Sequence, residues 1–324
     1  MDKPTNTARR SGDKEALLSN IALLYYGEGL TQGEIAKRMK VSRATIVNLL
    51  RESRELGIVD IRVDGRHLSG SNLAREIRDK FGLQDVYIAH AEADAELTRD
   101  ELLAQLGRVG ATAFLDLTDP GDRVGVAWGE TIMAVADAMP SNPIDTIEVC
   151  QLIGSMISDR VPASESCTIQ IASKLGAQCY TLHAPGLISN AELASQLREE
   201  PTIKAQLERL GNLDLAVYSI GNVKVETHLV AAGLATRKEL ANAREAGATG
   251  IVCCRYIDGE GKEIVMSPHE RLISAKVSDL LAAKKRLLII CGTDRQDATL
   301  SAIRGGLVTH LCVDSALGKI LLDS

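Results

Sequence analysis

"LTQGEIAKRMKVSRATIVNLLRESRELGIV", residues 30–59, carries the pattern from which the rest of the chain is read. Thr31 precedes an apolar-periodic run, and Glu34 follows three residues on. That is a capping box, which satisfies otherwise unpaired N–H groups and predicts a helix over about 32–39. The helix turns Ile35, Ala36 and Met39 inward. Ser42 caps a further helix running to about Leu56, and Gly57 is its natural stop. At about 100° per residue, Ile46, Leu49, Leu50 and Ser53 share one side of this helix. Arg43, Ala44, Val47, Asn48, Arg51 and Arg54 share the other. Between Lys37 and Arg54 stand six Lys or Arg against one Glu.

An outward face that is small at its start, cationic, and furnished with an amide suits entry into a major groove. Small residues permit approach, Arg and Asn bond base edges, and basic flanks meet phosphates. Upstream, "KEALLSNIALLYYGE" (14–28) places Leu17, Leu18, Ile21, Leu24 and Tyr25 at helical spacing, and Gly27 and Gly29 end that helix. Three helices with a tight turn before the last make a helix-turn-helix. An amphipathic hairpin with a solvated basic face has the same periodicity. Ala36 at the close crossing, the short gap before Ser42 and the charge excess favour double-stranded DNA as partner. Lys40 occupies the turn position where Gly is commonest, a conformation Lys adopts at modest cost. The residues expected at the duplex are Thr31, Gln32, Ser42, Arg43, Ala44, Thr45, Val47, Asn48 and Arg51. "IVDIRV" (58–63) alternates like a short strand, a wing behind the helices.

Charge divides the chain. Residues 1–66 hold 12 Lys/Arg and 9 Asp/Glu, a net of +3, whereas the remainder carries −9 of the overall −6. A basic binding module joined to an acidic body is the expected organisation, with 1–63 the helix-turn-helix domain and 64–324 the larger one. "DGRHLSGS" (64–71), polar and bearing Gly and Ser, reads as the linker. Aromatics make up only 3%, so the core must be built from Leu, Ile, Val and Ala. Apolar runs such as "RLLIICG" (286–292) are strand-length and far short of a bilayer span. The first residues show no apolar core followed by a small-residue cleavage site, so a cytoplasmic protein without membrane contact is expected. Seven cysteines form no CxxC pair and lie mostly in apolar runs, as buried free thiols do. The six histidines lack ligand spacing. Neither metal nor cofactor is expected.

From about Ser71 helices alternate with short apolar runs at 86–90, 123–127, 147–153, 178–182, 213–220, 249–254, 287–291 and 308–313. This predicts an α/β domain, doubly wound around a mostly parallel sheet covered on both faces. The stretches 97–117 and 190–200 read as helices, the latter behind a Ser189–Glu192 capping box. Ligands of such sheets bind beyond the C-terminal strand ends, at the switch point. "RVGVAWGETIM" (123–133) is the leading candidate, a strand running into a helix whose first N–H groups suit an anion, with the Thr131 hydroxyl adding a donor. A tight turn needing Gly for its geometry explains the same residues. Glu130 opposes a phosphate and suits sugar hydroxyls. Trp128, the single tryptophan, is either a stacking platform or core. "LIGS" (152–155), "HAPG" (183–186), "SIGN" (219–222) and "CGTDRQ" (291–296) place further Gly and small polar groups at strand ends. Arg295 is either a carboxylate or phosphate ligand or a solubilising surface residue. The ligand-site candidates are Gly125, Trp128, Gly129, Glu130, Thr131, Gly154, Ser155, Gly221 and Arg295.

From about residue 15 to the C-terminus the chain resembles the SorC family of bacterial transcriptional regulators. The likeness rests on "YYGEGLTQGEIAKRM", "VSRATIVNLL", "ELGIV", "RVGVAWGETIM", "LHAPGLIS", "LDLAVYSIG" and "RGGLVTHLCVDSALGKIL". The first and last, in this order and separation, are the most specific. The resemblance implies an N-terminal helix-turn-helix and an effector domain folded like sugar-phosphate isomerases. It also implies a homotetramer on operator DNA, released or rearranged by a sugar, polyol or sugar phosphate. Three positions depart from the family. Ile153-Gly154 stands where a Gly-Gly turn is usual, "GATGI" places Ile251 where an acid is common, and Arg295 replaces a Lys. These changes suit a different or less polar effector, or a reshaped pocket.

Two other readings exist. An isomerase-type enzyme needs a base and an acid converging on one pocket, for which the strand ends offer Glu130, His183 and Asp294. An interaction scaffold leaves the cationic helix face without a purpose.

Overall fold

Three N-terminal helices form where caps and apolar stripes dictate, in a computed structural model that describes residues 6–59, 69–89, 97–156, 163–223 and 228–324. α1 (Asn6–Ala22) starts earlier than Lys14 and ends in one wide turn, Leu23–Gly27, closed by Glu28 N–H on the Leu23 carbonyl at 3.0 Å. α2 (Gln32–Met39) and α3 (Arg43–Glu55) follow. Ile21, Leu24, Ile35, Ala36, Ile46 and Leu50 make their common core. Leu17, expected on that face, is 39% exposed while Leu18 is fully buried. The stripe runs through Leu18, Ile21 and Leu24, and Leu17 is rotated about 100° from Leu18. Gly57 adopts φ +70°, and the Ile58 and Val59 amides both return to the Ser53 carbonyl (2.9 and 3.1 Å). The remainder of the expected wing strand lies outside the described residues, as does linker segment 64–68. Ser71, read as linker, instead caps the next helix.

The chain separates into two compact units, Met1–Arg62 and Val63–Ser324. The second opens with α4 (Asn72–Phe81), β1 (Asp85–Ala89), α5 (Arg99–Leu117), β2 (Arg123–Val126), α6 (Glu130–Ala138), β3 (Glu148–Gln151), α7 (Ser164–Leu175) and β4 (Gln178–Tyr180). α8 (Ala191–Glu199) and α9 (Pro201–Leu210) lead to β5 (Leu215–Tyr218). Asn190, not Ser189, caps α8, its side chain accepting from Leu193 N–H at 2.9 Å. β6 (Gly221–Asn222), α10 (His228–Ala231), α11 (Arg237–Glu245), β7 (Gly250–Val252), β8 (Arg255–Ile257) and β9 (Glu263–Ile264) form an excursion. α12 (Val277–Ala282), β10 (Lys285–Ile290), α13 (Gln296–Arg304), β11 (His310–Asp314) and α14 (Ser315–Leu322) complete the unit.

Seven of the eight expected strands build one parallel sheet in the order β1-β11-β10-β5-β2-β3-β4. Along β10, Leu287 and Ile289 join the apolar cluster of α5, α6 and α7, whereas Leu288 and Ile290 join the cluster of α4, α9, α13 and α14. This period of two, apolar on both sides, is what a sheet covered on both faces requires. From β2 the chain steps outward to β3 and β4, then returns to β5 on the other side of β2. The switch point therefore lies between the C-terminal ends of β2 and β5.

The eighth run, 249–254, does not enter this sheet. Its β7 pairs antiparallel with β6 and β8 in a separate four-stranded sheet, β6-β7-β8-β9. An apolar run specifies burial, but which strand it pairs with is a non-local matter. Here a two-residue turn, Cys253-Cys254, with φ +47° and +64°, folds β8 back on β7.

Candidate nucleic-acid interface and ligand site

In the first unit the capping chemistry read from the sequence is present atom for atom. Thr31 Oγ1 accepts from Glu34 N–H (3.3 Å) while Glu34 Oε2 accepts from Thr31 N–H (2.8 Å). Ser42 Oγ accepts from Thr45 N–H (3.0 Å) and contacts the Thr45 hydroxyl at 2.8 Å. Lys40 takes the left-handed turn conformation, φ 54° and ψ 42°. Ile46, Leu50 and Ser53 are buried, with the Ser53 hydroxyl donating to the Leu50 carbonyl (2.8 Å). Arg43, Ala44, Thr45, Val47, Asn48, Arg51 and Arg54 are all exposed. Thr31 and Ser42 therefore act first as caps, and Thr45 stays on the open face. Arg43 Nε donates to Gln32 Oε1 (3.3 Å), tying together the starts of α2 and α3, a link that no sequence spacing signals. Arg51 lies 3.6 Å from Glu55, an exposed pair of small energetic weight. Val47, 43% exposed, leaves an apolar surface in the middle of a cationic face, the chemistry that meets a thymine methyl.

In the second unit, β2 ends at Val126 and the chain turns at Gly129 (φ 116°, ψ 171°) to start α6 at Glu130. Trp128 is 7% exposed and belongs to the apolar core. Its indole also hydrogen-bonds the Cys254 sulfur, whose thiol burial pushes up to about 12. Of the two roles open to it, the structure assigns core. Gly125 sits within β2, and a Cβ there would lie 2.6 Å from Leu213 Cδ1 and 2.7 Å from Leu152 Cδ2, so it is a packing glycine below the strand end. The half-buried Thr131 lies in the first turn of α6. Glu130 is exposed and accepts from Arg99 Nη2 at 2.6 Å. Arg99, in the first turn of α5, was missed by sequence reasoning because only the packing of α5 on α6 brings the two helix starts together.

The loop after β10 completes this edge. Asp294 Oδ2 accepts from Asn222 Nδ2 (2.7 Å) and Arg295 Nε (3.3 Å), and Arg295 Nη1 donates to the Ile220 carbonyl (2.9 Å). Arg295 thus joins the loops after β10 and β5. Burial pushes the Cys291 thiol up to about 11, and Asp314, Arg99, Arg295 and Asp294 all lie close enough to act on it. Charges from beyond the ends of three strands, β1, β10 and β11, therefore ring the mouth of β10. Gly221 lies in β6, paired with Ile251.

Gly154 and Ser155 follow β3, which pairs with β2 on the side away from β5. The Gly154 amide donates to the Ile273 carbonyl (2.9 Å) and the Ser155 amide to the Ala184 carbonyl (2.8 Å), while Gly186 N–H returns to Ser155 O (2.9 Å). A Cβ on Gly154 would lie 2.6 Å from Ala184 O, so the close approach of two backbones demands glycine. The buried Gln151 amide bonds Ile153 O (2.6 Å) and Ser164 Oγ (2.8 Å) and accepts from Leu182 N–H (2.9 Å). Ser155, His183, Ala184 and Pro185 line a shallow cleft of about 460 Å³. The three acid–base candidates are engaged separately: His183 with Thr181 (3.4 Å), Asp294 with Asn222 and Arg295, Glu130 with Arg99.

Residues 67–323 match the Sugar-bind family, described as "Putative sugar-binding domain". The transcriptional regulator YjhU of Escherichia coli is 35% identical over 92% of this chain and 92% of its own length. The sorbitol operon regulator of Klebsiella pneumoniae is 24% identical over 96% of this chain and 99% of that protein. The chain belongs to the SorC family. The crystal structure of that full-length sorbitol operon regulator, SorC, covers 96% of this chain with a TM-score of 0.70, a likeness of fold. The deoxyribonucleoside regulator of Bacillus subtilis is 26% identical over 96% of this chain and 98% of its own. Against the SorC pattern, the Ile251 substitution has a physical reason here. Its side chain is 4% exposed, inside the core cluster, where an unpaired acid would be costly. Cys179 is the exception among the cysteines, exposed on edge strand β4. No helix among the described residues is long and apolar enough to cross a membrane.

Proposed function

We propose that residues 1–63 bind one half-site of operator DNA through the open face of α3. Residues 64–324 then bind a sugar, polyol or sugar phosphate at the switch-point edge and assemble the chain as a tetramer in the cytoplasm. The observation that carries this reading is α3 itself. Ile46 and Leu50 anchor it, while Arg43, Ala44, Thr45, Val47, Asn48 and Arg51 stand open to solvent behind a capped N-terminus. Arg51 and Asn48 contact base edges; Arg43 and the N–H groups at the starts of α2 and α3 meet phosphates. Two-fold symmetry of the assembly makes the operator a pseudo-palindrome. The larger unit has a binding role and not a catalytic one. The effector acts by preferring one arrangement of the DNA-binding units over another, since a ligand shifts an equilibrium only by its differential affinity.

Selection of duplexes from a random library by the purified protein tests this. A pseudo-palindrome is expected, with affinity falling steeply with salt as phosphates are neutralised. Asn48→Ala or Arg51→Ala is expected to lose roughly 1–3 kcal/mol of specific binding each. A library that shows no enrichment at low salt would remove the DNA role.

A further inference from the structure

The charge arrangement at the switch-point edge bears on what kind of molecule the site accepts. A phosphate ester brings close to two negative charges and is ordinarily met by uncommitted cations and by the positive end of a helix. At this edge the positive end of α6 already carries the carboxylate of its own first residue, Glu130. The backbone of Gly129, which precedes it, hydrogen-bonds the buried Cys167 sulfur. Arg99 is bonded to Glu130 at 2.6 Å. Arg295 is bonded to Asp294 and to the Ile220 carbonyl. Among the described residues around the mouths of β2 and β10, the cations Arg99 and Arg295 are each already paired with a carboxylate, and Asp314 adds a third carboxylate. A dianion entering here would meet cations whose charge is already offset by carboxylates, and would lie close to Glu130. A hydroxylated ligand has no such obstacle. An ionised carboxylate accepts through two oxygens, so Glu130 can hold Arg99 and still accept a hydroxyl.

We propose that the effector of this chain is a neutral polyhydroxylated molecule, a sugar or polyol without phosphate, and that Glu130 selects it by accepting its hydroxyls while the Arg99 pair holds the carboxylate in place. The inference rests on the switch-point edge being the effector site, as argued above.

The test uses the full-length protein in thermal-shift and titration calorimetry experiments. The panel pairs pentitols, hexitols, aldoses and ketoses with their monophosphates, and adds aldonates and inorganic phosphate. At least one neutral member is expected to raise the melting temperature and its phosphate to fail. Glu130→Gln, which keeps the side chain's size, is expected to weaken that neutral ligand by about tenfold or more, the scale of a hydrogen bond to a charged acceptor. The unliganded melting curve and circular dichroism of the variant report that it is folded. A monophosphate or aldonate binding more tightly than its neutral partner overturns the inference and leaves the effector site standing. Unchanged affinity for the neutral ligand in folded Glu130→Gln overturns the role of Glu130. If no member of any class acts while duplex DNA is still bound, the site reading falls, and the inference with it.

Discussion

Replacing Lys40 by glycine should stabilise the N-terminal unit, although the side chain lost is an exposed one. Lys40 holds φ 54° and ψ 42° in the turn between α2 and α3. For an L-residue that left-handed geometry costs roughly 1–2 kcal/mol because Cβ crowds the following carbonyl. Glycine does not incur this cost but gives back about 0.5–1 kcal/mol through its greater freedom in the unfolded chain. At mid-range values the difference is a gain of about 0.75 kcal/mol. The backbone bonds that close the turn, Lys40 N–H to Lys37 O (3.3 Å) and Val41 N–H to Ala36 O (3.0 Å), do not depend on the side chain. For a unit of about 60 residues this is an upward shift of roughly 3–6 °C in Tm. The control is Lys40→Ala, which removes the same charge but retains Cβ and the strain. Calorimetric melting of the two variants beside the parent separates the backbone effect from the charge. If Lys40→Gly melts no higher than Lys40→Ala, the assigned cost of the left-handed turn is wrong.

Three other expectations come from the second unit. Gly154→Ala puts a methyl 2.6 Å from Ala184 O and 2.8 Å from Gly186 N, both backbone atoms that cannot rotate away. It should lose about 1–3 kcal/mol in urea titrations, and an unchanged midpoint would mean that the two loops separate freely. His310 is buried and its folded pKa is lowered by desolvation to about 4, below the unfolded value of about 6.5. Between those values the unfolded chain binds more protons, so this contribution is complete above about pH 6.5 and lost as pH falls toward 4. His310→Gln should flatten that window in stability measured against pH, and an identical slope in the variant would assign the acid sensitivity elsewhere. Thr131→Val, in the first turn of α6, should leave duplex affinity unaltered and blunt the response to the effector. A full response would take that hydroxyl out of the site.

How much could be read in advance differed sharply between the two units. In the Thr31–Glu34 box and the Ser42 cap the atoms fall where spacing places them, because only local backbone geometry intervenes, although Ser189, spaced in the same way from Glu192, yields its cap to Asn190. The open face of α3 was equally legible, since an angle of rotation decides it. Leu17 shows the limit even there: it is apolar and at helical spacing, yet only the position of α2 and α3 decides that the stripe passes through Leu18. In the α/β unit, alternation of strands and helices disclosed the sheet, and the Gly-bearing strand ends marked its ligand edge. The individual side chains there were less readable. Gly125 proved to be packing against Leu213 and Leu152, and Trp128 proved to be core.

The sequence by itself thus determined a capped, basic helix-turn-helix and a doubly wound α/β unit, because caps, periodicity and strand-end glycines act over a few residues. Tertiary structure alone decided that β7 leaves the parallel sheet, that Gln32 meets Arg43, and that Arg99 closes on Glu130. Each of those depends on which strands or helices become neighbours. That choice is made by long-range packing, where an apolar run states that it must be buried without stating against what.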